Sequence, residues 1–132
     1  MSESVRTVLV VDDHDQTRSQ IIDYIENEPG YAVIGEAING EQAVRMADSL
    51  HPDIIFMDLS MPVMGGIEAV HRIREKSPAV KIIVVTIHEG QLYRKMADHI
   101  HVDGYVCKNS FIVDLRSVLR QLRSEEEEAG EE

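Results

Sequence analysis

The sequence predicts a doubly wound α/β domain built on a five-stranded parallel sheet, and three observations carry that expectation. Four runs are apolar at consecutive positions, Val8 to Val11, Ile54 to Met57, Ile82 to Val85 and Tyr105 to Cys107, as strands covered by helices on both faces require. Segments of helical spacing lie between them, so strand and helix alternate along the chain. Each run stops on polar residues, Asp12-Asp13, Asp58, Thr86 and Lys108. In parallel sheets the strand ends meet, and ligands sit at their carboxyl ends.

The elements follow in order. After the strand ending at Val11, residues 16–27 carry Ile21, Ile22 and Ile25 at helical spacing, and Pro29-Gly30 closes that helix. Tyr31 to Ala37 reads as the second strand. Residues 39–50 place Ala43, Val44 and Ala47 on one face, with Pro52 just past the end. The third helix covers 66–76 through Ile67, Val70 and Ile73, and the fourth covers 90–100 through Leu92, Met96 and Ile100. Ser110 can cap a fifth bearing Ile112, Leu115, Leu119 and Leu122. Five strand–helix units without repeats suit an open, right-handed, flavodoxin-like (βα)5 sheet of order 2-1-3-4-5 better than a closed barrel of eight. Its switch point falls between strands one and three, where Asp12, Asp13 and Asp58 end.

A chain of 132 residues with 43% hydrophobic content is one domain by length. Residues 1–123 form the expected body, and 124–132 an acidic, disordered tail or a cut linker. The net charge of −11 overstates the body's: six of 24 acids (Glu125 to Glu128, Glu131, Glu132) lie in the tail, leaving 18 acids against 13 bases, or −5. Neither value suits a nucleic-acid surface, which needs clustered Lys and Arg. A single cysteine, Cys107, excludes a disulfide framework, no signal peptide leads the chain, and no run approaches the roughly 20 apolar residues of a membrane span. A cytoplasmic, membrane-free protein is expected.

Three carboxylates within about 4 to 6 Å repel by a few kcal/mol per pair at an effective dielectric near 20, so a cation belongs among them. Oxygen ligands with room for water suit Mg²⁺ (or Mn²⁺). Lys108 is better placed to pair with a phosphoryl oxygen, and the Thr86 hydroxyl to donate to a second. The set favours phosphoryl transfer with one carboxylate as nucleophile.

The motifs Val-Val-Asp12-Asp13-His14, Gly35-Glu36-Ala37, Pro52-Asp53, Met57-Asp58-Leu59-Ser60-Met61-Pro62, Val85-Thr86 and Asp103-Gly104-Tyr105 with Lys108 resemble, over residues 5–122, the receiver domains of two-component response regulators. The likeness is strongest to the NarL/LuxR-type subgroup, whose receivers precede helix-turn-helix domains. It implies that Asp58 accepts a phosphoryl group from a histidine kinase or phosphotransfer protein. Asp13, Asp58 and the backbone carbonyl of Ser60 would hold Mg²⁺ directly, and Asp12 through water. Thr86 and Lys108 would sense the phosphoryl group and Tyr105 would turn inward as a switch. The output surface would be the fourth helix, fifth strand and fifth helix. Such a receiver catalyses only its own phosphorylation and dephosphorylation, and it can dimerise when phosphorylated. The subgroup leads one to expect a DNA-binding domain after residue 122, absent from these 132 residues.

Some positions depart from the family's usual pattern. Asn109 follows Lys108 where many receivers have a cis proline, Gly65-Gly66 replaces Asp-Gly and is expected to loosen the turn before the third helix, and His101 stands where the subgroup has a glycine. Ile87, bulkier than the usual small residue, is expected to narrow access to Asp58, and Ser60 and His88 to tune dephosphorylation. The six histidines read as surface residues, with His99 and His101 the only close pair, and Cys107 as a small buried hydrophobe. Two rival functions were weighed against the receiver. An aspartyl-phosphate phosphatase needs a second acid where Ser60 stands, and a nucleotide-binding module needs a Gly-rich loop where Asp13-His14-Asp15 stand. A degenerate receiver acting only as a binding module is the third alternative.

Overall fold

A computed structural model describes residues 5–59, 64–86 and 102–130. The strands are β1 (Arg6–Val11), β2 (Tyr31–Ala37), β3 (Ile54–Asp58), β4 (Lys81–Thr86) and β5 (Gly104–Cys107). The helices are α1 (Asp15–Glu26), α2 (Gly40–Leu50), α3 (Gly66–Lys76) and α4 (Phe111–Gly130), the last preceded by a 3₁₀ turn at Lys108–Ser110. All strands are parallel in the order β2-β1-β3-β4-β5. This is the topology the alternation predicts. The helix expected over 90–100 lies outside the described residues.

Consecutive apolar positions are explained by two cores, one on each face of the sheet. Leu9, Val11, Ile55, Met57, Ile82 and Val84 pack against Ala43 and Ala47 of α2 and Val70 and Ile73 of α3. The alternate residues Val8, Val10, Ile54, Phe56, Ile83, Val85 and Val106 pack against Ile21 and Ile25 of α1 and Leu115, Leu119 and Leu122 of α4. Successive side chains point to opposite faces, so a strand covered twice is apolar at every position. Burying each of the larger ones stabilises the fold by about 1.5–3 kcal/mol.

Local chemistry sets the element ends. Asn39 Oδ1 accepts the Gln42 N–H at 2.8 Å while Gln42 Oε1 accepts the Ile38 N–H at 3.0 Å, a reciprocal cap that starts α2. His51 adopts the left-handed conformation (φ 50°) to end the same helix before Pro52. Tyr31, buried under α4, donates its hydroxyl to the Leu119 carbonyl at 3.0 Å and lies between the guanidinium groups of Arg6 and Arg123, each 5.7 Å from its ring centre. Asp103 locks the entry to β5: its Oδ2 accepts from Arg74 Nη2 at 2.7 Å and from the Ile82 N–H at 2.9 Å.

Two details differ from the sequence reading. The β1–β2 register slips between Val8–Val33 and Leu9–Gly35, leaving Ile34 as an extra residue in β2. The last helix runs on to Gly130 instead of giving way to an irregular tail after residue 123. Glutamate is a good helix former, and one turn of it adds to an existing helix without a new nucleation cost.

Candidate functional site

Three of the four strand-end clusters meet as expected. Asp12 follows β1 and is fully buried (0% exposed), Asp58 ends β3 at 2%, and Thr86 ends β4 at 1%. Lys108 follows β5 and reaches back along the sheet edge. Its Nζ is 2.9 Å from Asp12 Oδ2 and 3.5 Å from Asp58 Oδ2, with only 12% of the side chain exposed. The short contact to Asp12 is an ion pair without hydrogen-bond alignment, since Oδ2 has no hydrogen-bond partner. The remaining carboxylate, Asp13, is half-buried, and its Oδ1 is likewise buried without a hydrogen bond.

The β1–α1 turn shapes this arrangement. Asp12 Oδ1 accepts the His14 N–H at 2.8 Å, which turns its carboxylate over the start of α1. Arg18, one turn into α1, donates from Nη1 to the Asp12 carbonyl at 2.8 Å, from Nε to Glu36 at 2.7 Å and from Nη2 to Asp15 at 2.6 Å. Its hydrogen bonds to Glu36 and then to Asp15 hold this guanidinium charged, its pKa raised above an already high value. It clamps the backbone that carries the acids. On the other side, Gly66 brings α3 against β3, since a Cβ there would lie 2.3 Å from the Asp58 carbonyl oxygen. Its N–H donates to the Leu59 carbonyl at 3.3 Å, and Gly40 N–H donates to the Met64 carbonyl at 3.0 Å. The Gly65-Gly66 turn, expected to be loose, is therefore tied at both ends.

Among the described residues the Lys108 ammonium is ion-paired with Asp12 and Asp58. Asp12, Asp13, His14 and Asp58 each offer one donor atom, and all four lie within 4.8 Å of one another. That donor set, with buried acceptor atoms on Asp12 and Asp13 left without hydrogen bonds, is compatible with a divalent metal. Thr86 sits in register opposite Cys107, next to Lys108. Tyr105 is half-buried against the core on the α2–α3 face. Cys107 is buried in β5, as expected of a small hydrophobe. No peptide bond among the described residues is cis, so Lys108–Asn109 is trans. Ser60, Ile87, His88 and His101 lie outside the described residues.

Sequence reasoning missed two participants. His14 is a surface histidine as expected, 68% exposed, and its ring nitrogen also stands 3.1 Å from Asp13 Oδ1, a contact the sequence reading does not anticipate. Its place directly after two acids was the available signal. Arg18 went unmentioned although it sits three residues after Asp15, the spacing of an intrahelical ion pair.

Comparison with known proteins gives consistent results. Residues 8–120 match the family model of the response regulator receiver domain. The chain is 38% identical over 117 residues to the nitrate/nitrite response regulator protein NarL of Escherichia coli K12, covering 87% of this chain and 53% of that protein. It is 46% identical over 103 residues to the transcriptional regulatory protein YdfI of Bacillus subtilis, covering 78% and 48%. The crystal structure of a LuxR-family two-component response regulator from Aurantimonas sp. SI85-9A1 superimposes with a TM-score of 0.84 at 36% identity, covering 90% of this chain and 85% of that one. The chain thus spans about half the length of the curated relatives it matches.

Proposed function

The chain belongs to the response regulator receiver family, and from that premise we propose that it is a two-component receiver whose phosphoacceptor is Asp58. The observation that carries the reading is the convergence of buried Asp12 and Asp58 with Lys108 at the ends of β1, β3 and β5. Asp58 lies at the switch point, where an incoming phosphodonor can approach the strand ends.

In the proposed reaction, a carboxylate oxygen of Asp58 attacks the phosphorus of a phosphohistidine on a histidine kinase or phosphotransfer protein. The P–N bond breaks, its electron pair stays on the imidazole, which takes up a proton, and an acyl phosphate forms on Asp58. Asp12, Asp13, Asp58 and the Ser60 carbonyl are the proposed ligands of Mg²⁺ or Mn²⁺, which when bound neutralises charge on the phosphoryl oxygens. Lys108 then exchanges its carboxylate partners for a phosphoryl oxygen, and the Thr86 hydroxyl donates to another. Tyr105, on the strand beside Thr86, follows that movement and alters the output face that includes β5 and α4. Ser60, Ile87 and His88 set access of water to the acyl phosphate and so its lifetime. The chain turns over no external substrate.

The proposal extends to the whole protein: residues 1–123 are the receiver body, 124–132 lead toward a DNA-binding domain, and the product regulates transcription in the cytoplasm. Phosphorylation favours a homodimer, and this chain does not itself bind nucleic acid. Supporting this are the acidic balance of the body and the likeness to the transcriptional regulatory protein YdfI. The test is incubation with acetyl phosphate and Mg²⁺ followed by phosphate-affinity electrophoresis. A retarded species, labile to hydroxylamine and alkali, in the wild type that is missing from Asp58→Asn is expected. No retarded species in the wild type contradicts the proposal and indicates a degenerate receiver.

A further inference from the structure

We propose that His14 is a direct metal ligand through Nδ1, and that this imidazole makes the site select first-row divalent transition ions over Mg²⁺. The inference deepens the proposed cation site and rests on it.

The geometry is that of neighbouring ligands. His14 Nδ1 is 3.1 Å from Asp13 Oδ1 and 3.4 Å from Asp12 Oδ1. Adjacent donors in an octahedral shell with bonds of about 2.1 Å stand about 3.0 Å apart. The ring nitrogen therefore stands near that spacing from each of two carboxylate oxygens, and Asp58 supplies a fourth donor, all four lying within 4.8 Å of one another. The oxygen nearest the imidazole, Asp13 Oδ1, is buried without a hydrogen bond, whereas Asp12 Oδ2 is ion-paired with the Lys108 ammonium at 2.9 Å. A buried carboxylate oxygen without a donor is costly, and a bound cation removes that cost.

The backbone brings the ring there. His14 is the N-cap of α1 with an extended backbone, its N–H is held by Asp12 Oδ1, and its carbonyl accepts the Arg18 N–H at 2.9 Å. Its side chain makes no capping hydrogen bond, and the ring lies against Asp12 and Asp13 instead. It is 68% exposed, which leaves the outer side open to water or a phosphoryl oxygen.

The ligand chemistry then decides selectivity. Mg²⁺ favours oxygen donors and holds its waters, whereas imidazole suits Fe, Ni, Cu and Zn, with affinity rising from Mn²⁺ to Cu²⁺. Lys108 repels every divalent ion alike, so its effect cancels in a ratio of affinities. The imidazole's effect does not.

The test measures dissociation constants of Mg²⁺ and Ni²⁺ at one fixed pH, by competition with a fluorescent chelator, for the untagged wild type, His14→Gln and His51→Gln. The ratio Kd(Mg²⁺)/Kd(Ni²⁺) is expected to fall about tenfold or more in His14→Gln, since losing even a group that only supports a ligand costs that much. His51 is exposed at the far end of α2, and its substitution leaves the ratio unchanged. Electron paramagnetic resonance of the Cu²⁺ complex is expected to show imidazole nitrogen coupling that disappears in His14→Gln. An unchanged ratio, or coupling that persists, overturns the inference while leaving the receiver reading intact. Failure of the wild type both to bind Mg²⁺ and to be phosphorylated overturns the receiver reading itself.

Discussion

Replacing Lys108 with Met removes the one ammonium that stands between Asp12 and Asp58, at 2.9 and 3.5 Å. At an effective dielectric near 20 those contacts are worth about 6 and about 5 kcal/mol of gross attraction. Most of this is offset by the cost of desolvating the ammonium, which the variant no longer incurs, so the net loss is far smaller. Breaking one partner out of a buried ion pair typically costs 3–5 kcal/mol, and the partial exposure of Lys108 argues for the lower end, about 3 kcal/mol. A divalent cation at the same carboxylates replaces the missing charge, and it binds better once the ammonium is gone. Since the wild type gains binding stabilisation too, the deficit shrinks by about 1.4 kcal/mol for each tenfold by which the variant binds the ion more tightly. Urea unfolding followed by circular dichroism, in EDTA and in saturating Mg²⁺, checks this. The variant is expected to be about 3 kcal/mol less stable than wild type in EDTA and to recover more than half of that deficit in Mg²⁺. An equal deficit in both conditions refutes the reasoning, as does no deficit in EDTA.

Three further outcomes follow from contacts elsewhere. Gly66→Ala is expected to destabilise by about 2 kcal/mol or more, because the new Cβ meets the Asp58 backbone, which cannot rotate away; unfolding at wild-type denaturant midpoint contradicts this. Arg74→Ala removes donors from Asp103 Oδ2 and from the Pro78 and Val80 carbonyls, and is expected to lower stability by about 2 kcal/mol by chemical denaturation. Burial raises the Tyr31 pKa above its ordinary value of 10, against the lowering influence of Arg6 and Arg123. The folded state therefore holds the phenol proton more tightly than the unfolded state does. That contribution is complete below about pH 10 and is lost as pH rises through the folded value. Tyr31→Phe is expected to cost about 1 kcal/mol at neutral pH, and the gap to wild type to close at alkaline pH in denaturation series; a gap that widens there contradicts the assignment.

The strand ends were legible because burial on both faces forces unbroken apolar runs, and a polar residue at the end of such a run has only the rim to occupy. Asp12, Asp58, Thr86 and Lys108 follow from that pattern alone. The bulge at Ile34 left no trace, since one extra apolar residue in a half-exposed edge strand changes no periodicity. The extension of α4 through the glutamates was hidden because an acidic block reads equally as helix or coil when no apolar stripe runs through it. The Asp15–Arg18 spacing and the Asp103 motif were visible, but the contacts of Arg18 to the Asp12 carbonyl and of Asp103 to the Ile82 N–H involve backbone groups, which carry no sequence signature. His14 was visible by position, but its ring orientation depends on the Asp12 hydrogen bond that fixes the turn.

The central claim is that Asp58 is the phosphorylated carboxylate of a metal-dependent site. Its most direct test is to treat the chain with acetyl phosphate and Mg²⁺, reduce with borohydride, and locate the reduced residue by fragment mass. Reduction at residue 58 alone, lost in EDTA, is the predicted result. Reduction at Asp12 or Asp13 instead, or labelling indifferent to metal, contradicts it.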